Sequence, residues 1–310
     1  MVGERMKVLN QEKGKNWALY HGDSVEVLQG IPENSIHLSV TSIPFAQLYC
    51  YSNSERDMGN CKNDKEFYEQ YKYLVKEWYR VMMPGRNVCI HCMNIPSMKE
   101  RDGVIGIKDF RGDVIRLMQS EGFIYHSEVC IWRDPVVSMQ RTKALGLLHK
   151  QIKKDSAMSR MGLPDYVVTF RKPGDNPERI THTNESYPVS HWQEVASPVW
   201  KEYASPVWWD INQGATLNRM GAKDENDEKH IAPLQLPVIE RCVELWSNPG
   251  DIVLDPFNGI GSTGYQSLLM GRKYIGIELK ESYYNVAIKN LREAESKDET
   301  DNISLFDTEE

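Results

Sequence analysis

The 310-residue chain has no apolar run approaching about 18 residues, so no stretch of it reads as a membrane-crossing helix. Its N-terminus lacks a charged-then-apolar leader, and a cytoplasmic protein is expected. Cysteine is sparse, with six scattered thiols at Cys50, Cys61, Cys89, Cys92, Cys130 and Cys242. Cys89-Ile-His-Cys92 has metal-like spacing, but no second pair stands at ligand distance, and it falls inside the strand-like run Val88 to Met93. Buried thiols in a reducing compartment are the reading, and no metal is expected. Repetition is almost absent: Ala196-Ser-Pro-Val-Trp200 recurs once as Ala204-Ser-Pro-Val-Trp208, which excludes a solenoid.

An excess of positive charge is missing too, since the net charge is −7. That deficit is local. Glu293 to Glu310 carries eight acids against Lys297, so this tail accounts for the whole imbalance and leaves the body close to neutral. The tail is expected to fray into solvent as an acidic disordered end, 293–310. Arg133 to Lys172 holds nine Lys and Arg against Asp134, Asp155 and Asp165, which makes it the candidate phosphate-contacting surface. Hydrophobic residues at 40% and charged ones at 26% are ordinary for one large α/β domain, or for one domain with an insertion.

The most informative stretch is Gly250-Asp-Ile-Val-Leu-Asp-Pro-Phe-Asn-Gly-Ile-Gly-Ser-Thr-Gly264. Ile252 to Leu254 suits a buried strand, Asp255 and Pro256 stop it, and Gly259, Gly261 and Gly264 permit a sharp turn. Tyr265 to Met270 then reads as the first turns of a helix. Strand, glycine turn and helix place backbone N–H groups beside an open crevice. A second strand, Tyr274 to Ile277, ends on Glu278, an acid 23 positions after Asp255 and placed to hydrogen-bond ribose hydroxyls. A dehydrogenase dinucleotide site shares these parts. Asp255-Pro256-Phe257, however, stands where such a site has its first glycine, and puts an acid where a pyrophosphate needs room. A cationic, phosphate-free ligand suits it better.

Thr41-Ser-Ile-Pro-Phe45 is the second anchor, directly after the strand-like Ile36 to Val40. Ile43 precedes Pro44, which pushes its backbone toward an extended conformation and relates Ser42 to the Ile43 carbonyl. A hydroxyl, a carbonyl and the Phe45 ring are the parts needed to grip a flipped base: the ring stacks, and two oxygens accept both hydrogens of an exocyclic amine. Such an amine is a poor nucleophile while its lone pair is delocalised into the ring. Two acceptors favour a more tetrahedral nitrogen, with its lone pair free to attack.

Other elements follow the same logic. Ala18 to Asp23 reads as a strand, followed by a helix Ser24 to Gln29 capped by Ser24 or Asp23. Lys65 to Met83 carries a helical stripe of Phe67, Tyr71, Leu74, Val75, Trp78 and Val81, stopped by Pro84-Gly85. Asn87 to Met93, Tyr125 to Arg133 and Asp165 to Phe170 read as strands, Phe110 to Ser120 and Val238 to Ser247 as helices. The polar, aromatic run Ala46 to Asn63 is expected to close over a target nucleotide. From Pro173 to Asp227 the pattern dissolves; Trp192, Trp200, Trp208 and Trp209 there either pack on the core, the favoured reading, or stack on bases.

The glycine turn resembles the donor-binding motif of S-adenosylmethionine-dependent DNA amino-methyltransferases, and Thr41 to Phe45 resembles their catalytic motif, an Asp, Asn or Ser followed by Pro-Pro and an aromatic residue. Ile43 replaces the first proline. His230-Ile-Ala-Pro-Leu-Gln-Leu-Pro237, feeding a helix and then the donor motif, also matches. The acceptor motif precedes the donor motif, the order of the beta group, and the resemblance spans roughly Ala18 to Leu291. It implies a class I, Rossmann-like α/β fold with permuted motif order: a seven-stranded mixed, mostly parallel sheet with helices on both faces. Residues 18–172 and 228–292 would form the catalytic domain, and 134–227 a target-recognition insertion overlapping the basic segment.

The resemblance assigns the methionine part of S-adenosylmethionine to Asp255, Phe257, Gly259 and Gly261, with Pro256, Ser262 and Thr263 in the same turn. It gives Glu278 the ribose, Asp23 the adenine side, and His230 and Leu236 the pocket wall. Ser42, Ile43 through its carbonyl, Pro44 and Phe45 would hold the target amine. No metal or covalent nucleophile is required. Cytosine-C5 enzymes use the cysteine of a Pro-Cys pair, and this chain has none. Ser42 leans toward N4 of cytosine over N6 of adenine. DNA is the implied partner, with a homodimer and a cognate restriction nuclease as further family habits, and no membrane. RNA or protein-amide acceptors, or a non-catalytic DNA-binding relative, are the competing classes.

Overall fold

The computed structural model describes residues 8–45, 57–61, 63–97, 99–136, 153, 157, 161–185, 187–196, 205–218 and 233–304. In chain order the first half runs β1 (Asn10–Lys13), β2 (Trp17–His21), α1 (Ser24–Gln29), β3 (Ile36–Ser42), α2 (Asp64–Val81) and β4 (Met82–Met93). A small hairpin of β5 (Ile95–Ser97) and β6 (Gly106–Lys108) encloses α3 (Lys99–Asp102), and α4 (Phe110–Ser120) and β7 (Ile124–Ile131) follow. The second half runs β8 (Asp165–Arg171), α5 (Val189–Ala196), β9 (Val207–Trp208), α6 (Leu236–Trp246), β10 (Ile252–Asp255), α7 (Ser262–Leu269), β11 (Lys273–Glu278) and α8 (Glu281–Ser304).

These strands form a sheet in the order β1-β2-β11-β10-β3-β4-β8-β7-β9. The five strands from β2 to β4 are mutually parallel, while β8 is antiparallel to both β4 and β7. The sheet therefore has nine strands among the described residues, where seven were expected. The two additions are edge strands: β1, antiparallel to β2, and the two-residue β9, parallel to β7. Both are too short and polar, or too isolated, to announce themselves in sequence.

Side chains of successive strand residues point to opposite faces, and helices cover both. Leu254, Ile90 and Phe170 pack with α1, α2 and α4, while Val253, Cys89 and Val167 pack with α6, α7 and α8. The α2 stripe read from sequence is wholly buried. Each such side chain contributes roughly 1.5–3 kcal/mol relative to exposure. The helix ends at Val81, two residues short of the expected Met83, because Met82 is already extended and paired with Ile36. Cys89, Cys92 and Cys242 are buried free thiols, as anticipated. No helix of the described residues is long and apolar enough to cross a membrane.

One expectation changes. The acidic end does not fray at Glu293, because α8 continues to Ser304. Leu291 and Ala294 are buried on the sheet side, Glu295 accepts from Asn16 N at 3.1 Å, and Lys297 bonds Glu293 at 2.7 Å and Tyr265 at 2.9 Å. Residues 305–310 lie outside the described residues. Within 134–227, β8 lies in the stretch shared with the catalytic domain, β9 joins the same sheet, and Trp208 is fully buried beneath the Arg241 guanidinium, 5.1 Å from its ring centre. Trp192 and Trp209 are exposed, and Trp200 lies outside the described residues.

Candidate functional site

Chain crossovers leave β3 toward β4 and β10 toward β11, in opposite directions along the sheet. At such a switch point an open parallel sheet has a crevice beyond its carboxyl ends. A cleft enclosing about 1050 Å³, open mouth included, lies there. Ser42 and Pro44 border it on one side, Asp255 and Glu278 on the other, with Asp23 at its rim.

The donor turn takes the shape that its glycines permit. Gly259 and Gly261 have φ of 55° and 89°, the left-handed region where a Cβ is strained. Gly261 caps α7. Glu278 Oε2 accepts from Gly259 N at 2.7 Å and Oε1 from Lys280 N at 2.8 Å, which pins the turn to the end of β11. Asp255 Oδ1 accepts from Phe257 N at 2.9 Å and from Thr41 Oγ1 at 2.6 Å. Burial pushes the Asp255 carboxyl up to about 6 and Glu278 up to about 8, against the hydrogen bonds that favour their ionised forms. Neither makes an ion pair among the described residues. The two acids thus form a floor whose ionised state a bound cation would favour.

Other assigned residues fall around this floor. Pro256, Phe257, Gly259, Ser262 and Thr263 line the cleft, and the Phe257 ring stacks on Tyr71 at 6.5 Å. Asp23 caps α1 through Val25 N and Glu26 N at 2.9 and 3.1 Å while still facing the cleft. Ser24 Oγ donates to Pro256 O at 2.5 Å and ties that helix to the donor turn. Leu236 begins α6 and packs into the core, and its neighbours Pro233 and Leu234 line the cleft instead. His230 lies outside the described residues, as do 46–56 of the expected closing loop. Asp57 and Met58, which follow that loop, border the cleft.

The acceptor turn is more divided. Ser42 and Pro44 face the cleft, whereas Ile43 is 1% exposed and belongs to the core. Phe45 is buried as well, with its ring edge-on to His91 at 6.3 Å and Phe110 at 6.1 Å. It is not among the residues that line the cleft.

A polar chain that sequence reasoning missed begins at Ser42. Its Oγ lies 2.9 Å from His91 Nδ1, and His91 Nε2 lies 3.2 Å from Asp165 Oδ2. Arg133 Nη1 donates to Asp165 Oδ1 at 2.8 Å. Burial would raise the Asp165 carboxyl, but His91 and Arg133 together hold it below its usual range. The only signal in sequence was a histidine alternating with buried residues in β4, and it carried no hint of partners on β3 and β8.

The basic segment also changes character. Arg133 is spent on Asp165, Arg171 Nε donates to Gly85 O at 3.3 Å, and buried Lys172 donates to Asn34 Oδ1 at 2.7 Å and Met82 O at 2.8 Å. These three cations hold the protein's own backbone and acids. Arg141, Lys143, Lys150, Lys154 and Arg160 lie outside the described residues.

Residues 36–289 match the family model described as DNA methylase. Type II methyltransferase M.HindIII of Haemophilus influenzae is 22% identical over 315 residues, covering 88% of this chain and 94% of that protein. Among solved structures, TTHA0409 from Thermus thermophilus, complexed with S-adenosyl-L-methionine, has a TM-score of 0.64 at 22% identity, covering 89% of this chain and 93% of that one. PvuII DNA methyltransferase, described as cytosine-N4-specific, also has a TM-score of 0.64, at 18% identity, covering 94% of this chain and 96% of that one. Both structures share the fold described above.

Proposed function

This chain belongs to the DNA methylase family of N6/N4 methyltransferases, and from that premise we propose that it methylates the N4 amine of a flipped cytosine in DNA, using S-adenosylmethionine. Bound in the cleft, that cofactor supplies a methyl group on a positively charged sulfur. The residues present fit it. Asp255 and Glu278 are buried acids without ion-pair partners among the described residues, and a cation-bearing ligand compensates such a floor. Asp255 and the Phe257-to-Thr263 turn would hold the methionine part. The remaining lone pairs of Glu278 would accept the ribose hydroxyls, and the adenine would lie toward Asp23.

The observation that carries the reading is the position of Ser42. Its hydroxyl borders the same cleft as the two acids, at the carboxyl end of the strand beside β10. A base extruded from the duplex and lowered into the cleft would meet Ser42 with its exocyclic amine. The hydroxyl accepts one amine hydrogen and favours a pyramidal nitrogen facing the methyl group. Ser42, where relatives also carry Asp or Asn, supports cytosine over adenine.

Mass spectrometry of nucleosides from duplex DNA, after incubation with the protein and methyl-labelled S-adenosylmethionine, tests both parts. Labelled N4-methylcytosine is expected. Label only in N6-methyladenine would overturn the choice of base, and no labelled nucleoside would overturn the activity.

A further inference from the structure

We propose that His91 is a positioning residue that orients the Ser42 hydroxyl and receives, through it, the proton that the target amine sheds; this rests on the amino-methyltransferase reading above. The three side chains come from three strands. Ser42 and His91 are register partners on β3 and β4, and Asp165 stands two residues from His91's partner Val167 on β8. All three therefore point from one face at the carboxyl edge, with only Ser42 bordering the cleft.

The direction of each hydrogen bond follows from the far end of the chain. Asp165 is 2% exposed and receives His91 Nε2 and Arg133 Nη1, which keep its carboxylate ionised. An ionised carboxylate only accepts, so His91 Nε2 must carry the ring hydrogen. In the proposed resting state the ring carries no second hydrogen, so Nδ1 accepts and Ser42 Oγ donates to it across 2.9 Å. With its hydrogen committed inward, Ser42 has only lone pairs to offer the cleft. That is the polarity an amine hydrogen needs. Without His91, the hydroxyl would be free to turn and donate to the amine lone pair, which blocks attack.

The same chain disposes of the proton. In the transfer, the amine lone pair forms the new N–C bond, the S–C bond breaks, and its electron pair stays on sulfur. The methylated nitrogen is then positively charged and must lose a hydrogen ion. It passes to Ser42 Oγ as the serine's own hydrogen moves to His91 Nδ1. The resulting imidazolium lies against the Asp165 carboxylate, while Arg133 balances that acid in the resting state. Burying His91 and Asp165 beside apolar neighbours such as Cys89 and Val167, with Arg133 half-buried next to them, costs solvation of charged and polar groups. A purely structural strand position has no need of it.

Single-turnover transfer of labelled methyl to duplex DNA, with dissociation constants and thermal melts, tests the assignment in wild type, His91→Ala, His91→Asn, Ser42→Ala and the Ser42→Ala/His91→Ala double variant. His91→Ala should slow transfer roughly 10²-fold, in the range of general acid–base contributions, with cofactor and DNA affinity nearly unchanged and partial rescue by added imidazole. His91→Asn keeps an acceptor for the hydroxyl but cannot hold the proton; it should stay slow while melting like wild type. The double variant should be no slower than the slower single, since the two residues act as one unit. Wild-type rates in His91→Ala, or full recovery in His91→Asn, would overturn the proton-accepting role. A wild type that labels no base would instead overturn the activity, an outcome distinguishable from active wild type with unaffected variants.

Discussion

Thr41 Oγ1 donates a 2.6 Å hydrogen bond to Asp255 Oδ1, and both residues are buried. One belongs to the strand that ends in the acceptor motif, the other closes the strand that opens the donor turn. With the β3–β10 pairing and the bond from Ser39 Oγ to Leu254 O, this contact joins the two halves of the site, 214 residues apart in sequence.

Thr41→Val keeps the shape and deletes the donor. Asp255 then loses a partner that favours its ionised form, and its carboxyl should rise above the present value of about 6. Stability should fall by roughly 0.5–1.5 kcal/mol, the usual net worth of one hydrogen bond, because Asp255 keeps its bond from Phe257 N. Affinity for S-adenosylmethionine should weaken about tenfold, the equivalent of roughly 1.4 kcal/mol. Urea unfolding and calorimetric titration measure the two; an unchanged dissociation constant would show that Thr41 serves the fold alone.

Burial raises Asp255 to about 6 and Glu278 to about 8. A carboxyl whose folded pKa exceeds its unfolded value keeps its proton longer in the native state. Its stabilising contribution is therefore complete at acid pH and is lost as pH rises through the folded pKa. The ligand-free protein should lose stability from the ordinary carboxylate range up through pH 6 and 8. A cationic ligand favours the ionised forms, so binding should release protons and tighten across that window. Titrations in two buffers of different ionisation enthalpy count those protons, and uptake on binding would contradict the assignment.

Gly264 in α7 is a packing glycine. A Cβ there would press into the Tyr274 ring and the Leu291 side chain, neither of which has room to retreat from the core. Gly264→Ala should cost roughly 1–3 kcal/mol through overpacking. Gly106→Ala, where a Cβ meets nothing within 4 Å, should be near neutral. Equal denaturation midpoints for the two variants would refute the packing argument.

Lys172 belongs to the interior of the protein. Its ammonium bonds Asn34 Oδ1 and Met82 O and lies 4.8 Å from the centre of the Tyr79 ring. Lys172→Met should destabilise by roughly 1–3 kcal/mol because those acceptors lose their donor. The slope of DNA affinity against salt should not change, since no phosphate contact disappears. A slope reduced by about one unit would return Lys172 to the DNA surface.

Much of this fold is legible in the sequence. The buried stripe of α2 declares its helix through local spacing. Ile252 to Leu254 with Gly259 and Gly261 declares strand, turn and helix, because an apolar run and left-handed glycines act over a few residues. The parallel sheet with β10 at its centre was implied by the resemblance to the beta group of amino-methyltransferases. By contrast, β1 and β9 gain their strand character only from a neighbour's edge. Helix α8 outlasts its apolar residues because Glu293, Glu295 and Lys297 find partners.

The site divides along the same line. Local patterns put Asp255, Glu278 and Ser42 at strand ends, and the structure has all three bordering one cleft. Only the tertiary structure decided that Phe45 turns inward onto His91, that Lys172 is buried, and that Ser42, His91 and Asp165 meet. Those three positions are separated by 49 and 74 residues. What joins them is strand register, Ser42 opposite His91 and Asp165 opposite Met93. Register is chosen by how all the side chains of both faces pack at once, a sum over distant residues to which no short stretch of sequence has access.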